Sequence, residues 1–86
     1  MDMMQIKARY RSQLAQLAGT TAEQVEAAAV KDVLRHIKER YGDEAVKTAK
    51  TMLITVNGES ILHLGHFKTP LREGDEVSFL PVCGGG

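Results

Sequence analysis

The residues of this chain best suited to chemistry stand at its end, which reads "FLPVCGGG". Glycine loses more backbone freedom on ordering than any other residue, so the run from Gly84 to Gly86 does not serve to stabilise a fold. Extended, the six residues from Pro81 to Gly86 reach up to about 20 Å, far enough to enter another protein. This segment is therefore either an inert tail or a carrier for the carboxylate of Gly86.

A terminal carboxylate reacts with nucleophiles only after activation. Adenylation would turn the Gly86 carboxylate into a mixed anhydride, which sulfide, a thiol or an amine can attack. The carrier then needs no base of its own, because an activating partner performs the first step. Pro81 and Val82 would stiffen the base of the tail, and glycines beyond them let the backbone approach a partner closely.

Other reactive side chains form weaker patterns. His63 and His66 are three positions apart in "ILHLGHF", with Cys83 as a third possible ligand. Positions three apart on a strand point to opposite faces, so we predict no metal site. No serine, histidine and aspartate spacing suggests a catalytic triad, and no glycine-rich loop precedes a helix that could hold a phosphate.

Composition predicts one small domain. The 86 residues are 43% hydrophobic and 26% charged, with 11 basic and 11 acidic side chains. The net charge of zero gives no source for nucleic-acid binding. One cysteine excludes an internal disulfide, and without a secretion signal or a long apolar span we expect no membrane association and a cytoplasmic location.

Periodicity in the first half predicts a strand, a short helix, a second strand and a long helix. Apolar residues alternate from Met4 to Tyr10, and "SQLAQLA" before Gly19 indicates a helix over residues 12–18. A weaker pattern over residues 20–26 favours a strand that pairs back on the first. "VKDVLRHIKERYG" has apolar residues at steps of three and four, with a solvated basic face opposite and Gly42 placed for a left-handed cap.

The second half predicts a hairpin and a last strand. Residues 43–51 are left open between a short helix and a loop. Residues 52–56 are rich in branched apolar side chains and run into Asn57-Gly58, a strong hairpin signal. A structured loop with Pro70 and Gly74 leads to "EVSFL", which Pro81 ends because proline cannot donate to a strand ladder.

This order of elements predicts an α+β fold in which one main helix packs across a mixed sheet of four or five strands. The β-grasp, or ubiquitin-like, arrangement fits it best. Residues 1–80 would form the domain and residues 81–86 a flexible glycine tail.

The segments "VNGES" and "TPLREGDEVSFLPVCGGG" resemble those of the small, sulfur-carrying subunit of molybdopterin synthase, one of the ubiquitin-like sulfur carriers. "IKARYRSQLAQLAG" and "VKDVLRHIKERYG" fall where that family has its first strand and its helices, so the resemblance covers nearly the whole chain. It implies that a ubiquitin-activating-type adenylyltransferase uses ATP to adenylate Gly86. A sulfur donor system then makes the thiocarboxylate, whose sulfur goes to the cyclic pyranopterin precursor to form the dithiolene.

The resemblance also implies a role for each residue near the end. Gly86 would be the thiocarboxylate residue, and Gly85, Gly84 and Cys83 would enter the large synthase subunit with it. The docking surface at the base of the tail would be formed by Phe79, Leu80, Pro81 and Val82. The chain would be a non-catalytic subunit without a tightly bound cofactor, in a heterotetramer with the large subunit.

This tail departs from the family pattern at three positions. Val82 takes the place of a second proline, Cys83 that of a valine, and Gly84 that of a variable residue. Cys83 is either a small apolar replacement or a thiol able to capture the activated acyl group. Alternative functions are a carrier for thiamine or another thio-metabolite, a ubiquitin-like modifier joined to lysines through Gly86, and a binding module with an inert tail.

Overall fold

A computed structural model describes residues 3–82 of the chain. The first half alternates strands and helices as the periodicity predicts, and the second half is mainly extended. Within these residues lie three α-helices and five strands: β1 (Met4–Tyr10), α1 (Ser12–Ala18), β2 (Ala22–Ala27), α2 (Val30–Tyr41), α3 (Asp43–Lys50), β3 (Leu53–Val56), β4 (Glu59–Ser60) and β5 (Glu76–Leu80).

The strands form one mixed sheet in the order β2-β1-β5-β3-β4. Its central pair, β1 and β5, is parallel, and the pairs β1–β2, β5–β3 and β3–β4 are antiparallel. A parallel pair requires a long crossover, which the intervening helices and hairpin supply. This topology, with α2 packed against the sheet, is the ubiquitin-like β-grasp, and the predicted fold class is confirmed.

The core lies between the sheet and the helices. Alternate residues of β1 are buried, as are Val77 and Phe79 of β5, so each strand presents one apolar face to the helices. Tyr10 and Phe79 are the largest fully buried side chains, and their ring centroids lie 5.8 Å apart. From α2 the same core receives four side chains, Val30, Val33, Leu34 and Ile37.

The segment left open between helix and loop forms α3. Its side chains Ala45, Val46 and Ala49 are buried in the common core, so packing makes this short segment helical. Gly42 ends α2 but differs from the expected left-handed cap, because its φ of 97° is combined with an extended ψ of 178°. This conformation leads the chain directly into α3, whereas Gly19, predicted to stop α1, does so in a left-handed conformation.

The hairpin between β3 and β4 turns at Asn57-Gly58, where both residues have positive φ, 52° and 87°. The Asn57 side chain also donates to the Asp75 carboxylate and accepts from the Glu76 amide, each at 2.9 Å. The hairpin is thereby joined to the start of β5. Gly74, with φ of 85°, shapes the loop before that strand.

Candidate functional site at the base of the tail

The tail leaves the domain from the middle of the sheet. The last residues of β5 are paired on both sides, Phe79 with Tyr10 of β1 and with Ile54 of β3, and Leu80 with Leu53 of β3. Two neighbouring strands therefore fix the chain as far as Phe79, and β3 alone pairs with Leu80.

Burial corrects the expectation that Phe79 lines a docking surface. Its side chain is fully buried, because strand alternation turns it toward the helices, and it supports the end of β5 from within the core. Leu80 is partly exposed, and Pro81 and Val82 are exposed. Cys83, Gly84, Gly85 and Gly86, the predicted tail-insertion and thiocarboxylate residues, lie outside the described residues.

One side of the tail base is an apolar groove of about 310 Å³. Three of its side chains are well exposed for their type: Leu62 at 66%, Val82 at 59% and Phe67 at 41%. We call it the tail-base groove; it is lined by Lys50, Met52, Leu53, Ile54, Ser60, Ile61, Leu62, Phe67 and Val82. Exposed apolar side chains gathered beside a chain end are typical of a protein-binding surface.

Sequence reasoning found Val82 but missed Leu62 and Phe67 in this groove. Both belong to "ILHLGHF", which folds as two 3-10 turns, Ile61–His63 and His66–Lys68, after β4. The available signal for an exposed apolar surface was the presence of large apolar residues in a segment that has neither strand nor helix periodicity. The convergence with Val82 depends on the tertiary fold.

The other side of the tail base has a mixed polar and apolar surface. A shallow groove of about 230 Å³ is lined there by Ser12 and Gln13 of α1, by Thr48 and Thr51 near the end of α3, and by Met52, Pro81 and Val82. Val82 therefore lines both an apolar groove and a mixed one.

A second cluster of functional groups surrounds Glu23 of β2. Its carboxylate accepts hydrogen bonds from the hydroxyls of Tyr10 at 2.6 Å and Tyr41 at 2.8 Å, and lies 2.9 Å from Nε2 of His36. These contacts join two strands to α2. We call these four residues the Glu23 cluster.

In the Glu23 cluster the environment favours the charged form of Glu23 and the neutral forms of Tyr10 and Tyr41. Burial opposes ionisation of Glu23, but hydrogen bonds from Tyr10, Tyr41 and His36 outweigh it and hold the pKa of Glu23 below its ordinary value. Burial, and then the bond to Glu23, raises the pKa of both tyrosines. A carboxylate saturated by donors is a poor base, so the cluster serves the fold.

His63 and His66 lie on separate 3-10 turns and are exposed. Between residues 3 and 82 no group of three or more histidine, cysteine, aspartate or glutamate side chains is arranged to hold a metal ion. In the same part of the chain, no helix has the length and apolar character needed to cross a membrane.

The fold defines the class of protein: a ubiquitin-like β-grasp domain. The model of the ThiS family matches residues 8–86. The chain belongs to this family, whose members are ubiquitin-like sulfur carriers. A search among curated proteins found no match.

Solved structures show the same likeness. Small archaeal modifier protein 1 from Methanosarcina acetivorans is 27% identical, with a TM-score of 0.85 and 100% of both chains covered. A Pyrococcus furiosus protein assigned as molybdopterin converting factor subunit 1 is 26% identical, with a TM-score of 0.69, covering 91% of this chain and 97% of that one. A complex of subunits 1 and 2 of that factor from Helicobacter pylori matches at 25% identity and a TM-score of 0.66, covering 95% and 100%.

Proposed function

We propose that this sulfur carrier is the small subunit of a molybdopterin synthase. The observation that carries the proposal is the end of β5: a strand fixed on both sides, an exposed Pro81 and Val82 beside an apolar groove, and a terminal glycine run in the sequence. Likeness to the Pyrococcus furiosus and Helicobacter pylori proteins supports the molybdopterin pathway.

The proposed chemistry takes place on Gly86. Its carboxylate attacks the α-phosphorus of ATP on the adenylyltransferase, and pyrophosphate leaves. Sulfide from a sulfur donor system then attacks the acyl carbon and displaces AMP, giving the thiocarboxylate. In the large subunit that sulfur is transferred to the cyclic pyranopterin precursor, and two such transfers supply the dithiolene.

This division of labour fits the side chains near the tail. The groups that line the two grooves beside it, between residues 3 and 82, are hydroxyls, an amide, the Lys50 ammonium and apolar side chains, and the proposal assigns them to binding. Leu80, Pro81 and Val82 would contact the large subunit, while Cys83, Gly84 and Gly85 would carry Gly86 into its active site. The complex of two subunits in Helicobacter pylori supports a large-subunit partner.

Intact-mass measurement of the chain from its own host tests the proposal. We expect a population in which sulfur replaces one oxygen at Gly86, and dithiolene formation when that population is mixed with the large subunit and the cyclic precursor. A chain lacking Gly86 is the matched control and should be inactive while retaining its melting temperature. A thiocarboxylate that the large subunit cannot use would contradict the molybdopterin role.

A second function, protein modification, is favoured by the full-length likeness to small archaeal modifier protein 1. The same adenylate would then be attacked by a lysine amine of a target, forming an isopeptide bond to Gly86 with release of AMP. Peptide mass mapping of host proteins would show Gly-Gly remnants on lysines. Their absence in cells that contain the thiocarboxylate would leave sulfur transfer as the function.

A further inference from the structure

A basic groove of about 540 Å³ lies between α2 and α3, next to the tail-base groove. Lys31, Arg35 and Lys38 project from α2 on one face, since they are spaced by four and three residues. Two lysines of α3 stand across from them. The cations of this groove are Lys31, Arg35, Lys38, Lys47 and Lys50, all exposed.

These charges are poorly neutralised within the domain. Arg35 lies 3.5 Å from the carboxylate of Asp32, which also accepts hydrogen bonds from the amides of Ala28 and Ala29. Across residues 3–82 the other ion pairs involve Arg9 and His36, so the four lysines of the groove have no carboxylate within 4.0 Å there. One acid, Asp43, lines the groove, although the whole chain has zero net charge.

The groove also contains apolar surface, which a merely solvated basic face would not require. The lining includes the buried side chains of Leu34 and Val46 and the ring of Phe67, which is 41% exposed. From Lys31 to Lys38 the cationic row is about 10 Å long at the rise of an α-helix. These dimensions suit a short peptide segment better than a single small anion.

We propose that this basic groove binds an acidic segment of a partner protein, with an apolar side chain of that segment seated against Phe67. Charge complementarity selects a carboxylate-rich sequence, and the apolar floor selects a peptide over a nucleic-acid backbone. Phe67 and Lys50 line the tail-base groove as well. A partner that holds the tail can therefore contact the basic groove on the same side of the domain. This binding would be additional to any sulfur-carrier chemistry.

The test mixes the full chain with a labelled peptide that has four glutamates around a central leucine. Fluorescence anisotropy of the peptide measures its binding, and amide chemical shifts of the protein locate the site. We expect saturable binding with shifts confined to α2, α3 and Phe67. Reversing two charges with Lys38→Glu and Lys47→Glu should raise the dissociation constant about tenfold or more. Lys7→Glu, on the exposed face of β1, is the matched control and should change it less than twofold.

Two further comparisons test which features of the peptide the groove recognises. Phe67→Ala should weaken the leucine peptide but not one with alanine at its centre, and a glutamine version of the peptide should not bind. The proposal is overturned if the acidic peptide does not bind, if the charge reversals leave its affinity unchanged, or if single-stranded RNA of equal charge binds more tightly. Circular dichroism of each variant establishes that the fold is intact, and none of these readings depends on a thiocarboxylate.

Discussion

The Glu23 cluster and the tail-base groove differ in the environment of their side chains, which are hydrogen-bonded in the first and partly exposed in the second. In the cluster a single carboxylate has three side-chain partners, which come from β1 and α2. In the groove, Leu62 and Phe67 remain exposed. The first region stabilises the domain and the second leaves apolar side chains in water, so under the proposed function stability and binding reside in different residues and can be changed separately.

The two regions meet in the pair Tyr10 and Phe79. Tyr10 donates to Glu23 with its hydroxyl and packs its ring against Phe79, which lies beneath the end of β5. A change at Phe79 should therefore affect both regions, whereas changes at Glu23 or Leu62 should affect one.

Phe79→Ala should have the largest effect on stability, lowering the free energy of unfolding by about 3–5 kcal/mol, because it leaves a cavity in the core. Urea denaturation followed by circular dichroism measures it. The end of β5 should also loosen, seen as faster amide exchange at Ser78 and Leu80. If exchange at those amides stays normal while the domain loses stability, the inference that Phe79 joins the two regions is wrong.

Glu23→Gln should lower the free energy of unfolding by about 1–3 kcal/mol, because it weakens charge-assisted bonds to two partly or fully buried phenols. Glu26→Gln makes the same change on the same strand at an exposed position and should cost about 0.5 kcal/mol or less. Equal costs for the two variants would show that the Glu23 cluster is not a stabilising unit. Binding to the large subunit should be unchanged in both.

Acid should act through the same carboxylate. The pKa of Glu23 is lower in the folded chain than its ordinary value of 4.5, so its stabilising contribution is complete above that pH and is lost as the pH falls further through the folded-state value. Thermal unfolding between neutral and acidic pH should therefore show a steeper loss for the native chain than for Glu23→Gln. Parallel curves would assign the acid sensitivity to other carboxylates.

Leu62→Ser should have the smallest effect on folding, within about 0.5 kcal/mol, since most of the side chain is already in water. Affinity for the large subunit should nevertheless fall about tenfold, as expected for an apolar contact at a binding surface. Leu64→Ser is the matched control, because Leu64 is exposed but does not line the tail-base groove. If both variants bind equally well, the groove is not the docking surface.

Local sequence signals were sufficient for the elements that have strong periodicity. Alternation in Met4–Tyr10 and Glu76–Leu80, the three-and-four spacing of α2 and the Asn57-Gly58 pair each correspond to the element observed. Each of these signals comes from residues close in sequence, which face one surface or one turn. They were enough, together, to indicate a β-grasp.

Features that depend on distant contacts were not predictable in the same way. The helical state of α3 rests on burial of small residues such as Ala45 and Ala49, which give a weak periodic signal. Glu23 lies in a strand with little apolar pattern. No residue near it in sequence indicates that its carboxylate contacts two tyrosines and a histidine. Leu62 and Phe67 meet Val82 only because β3 and β5 are neighbours in the sheet.

The central position of β5 has a mechanical consequence. Its hydrogen bonds to β1 and β3 run across the strand direction, so a pull on the C-terminal residues loads many of them at once in shear. An edge strand pulled sideways would instead lose its bonds one after another. Under the proposed function, a large subunit that pulls on the chain beyond Val82 should therefore leave the domain folded, so that the same molecule can be released and used again.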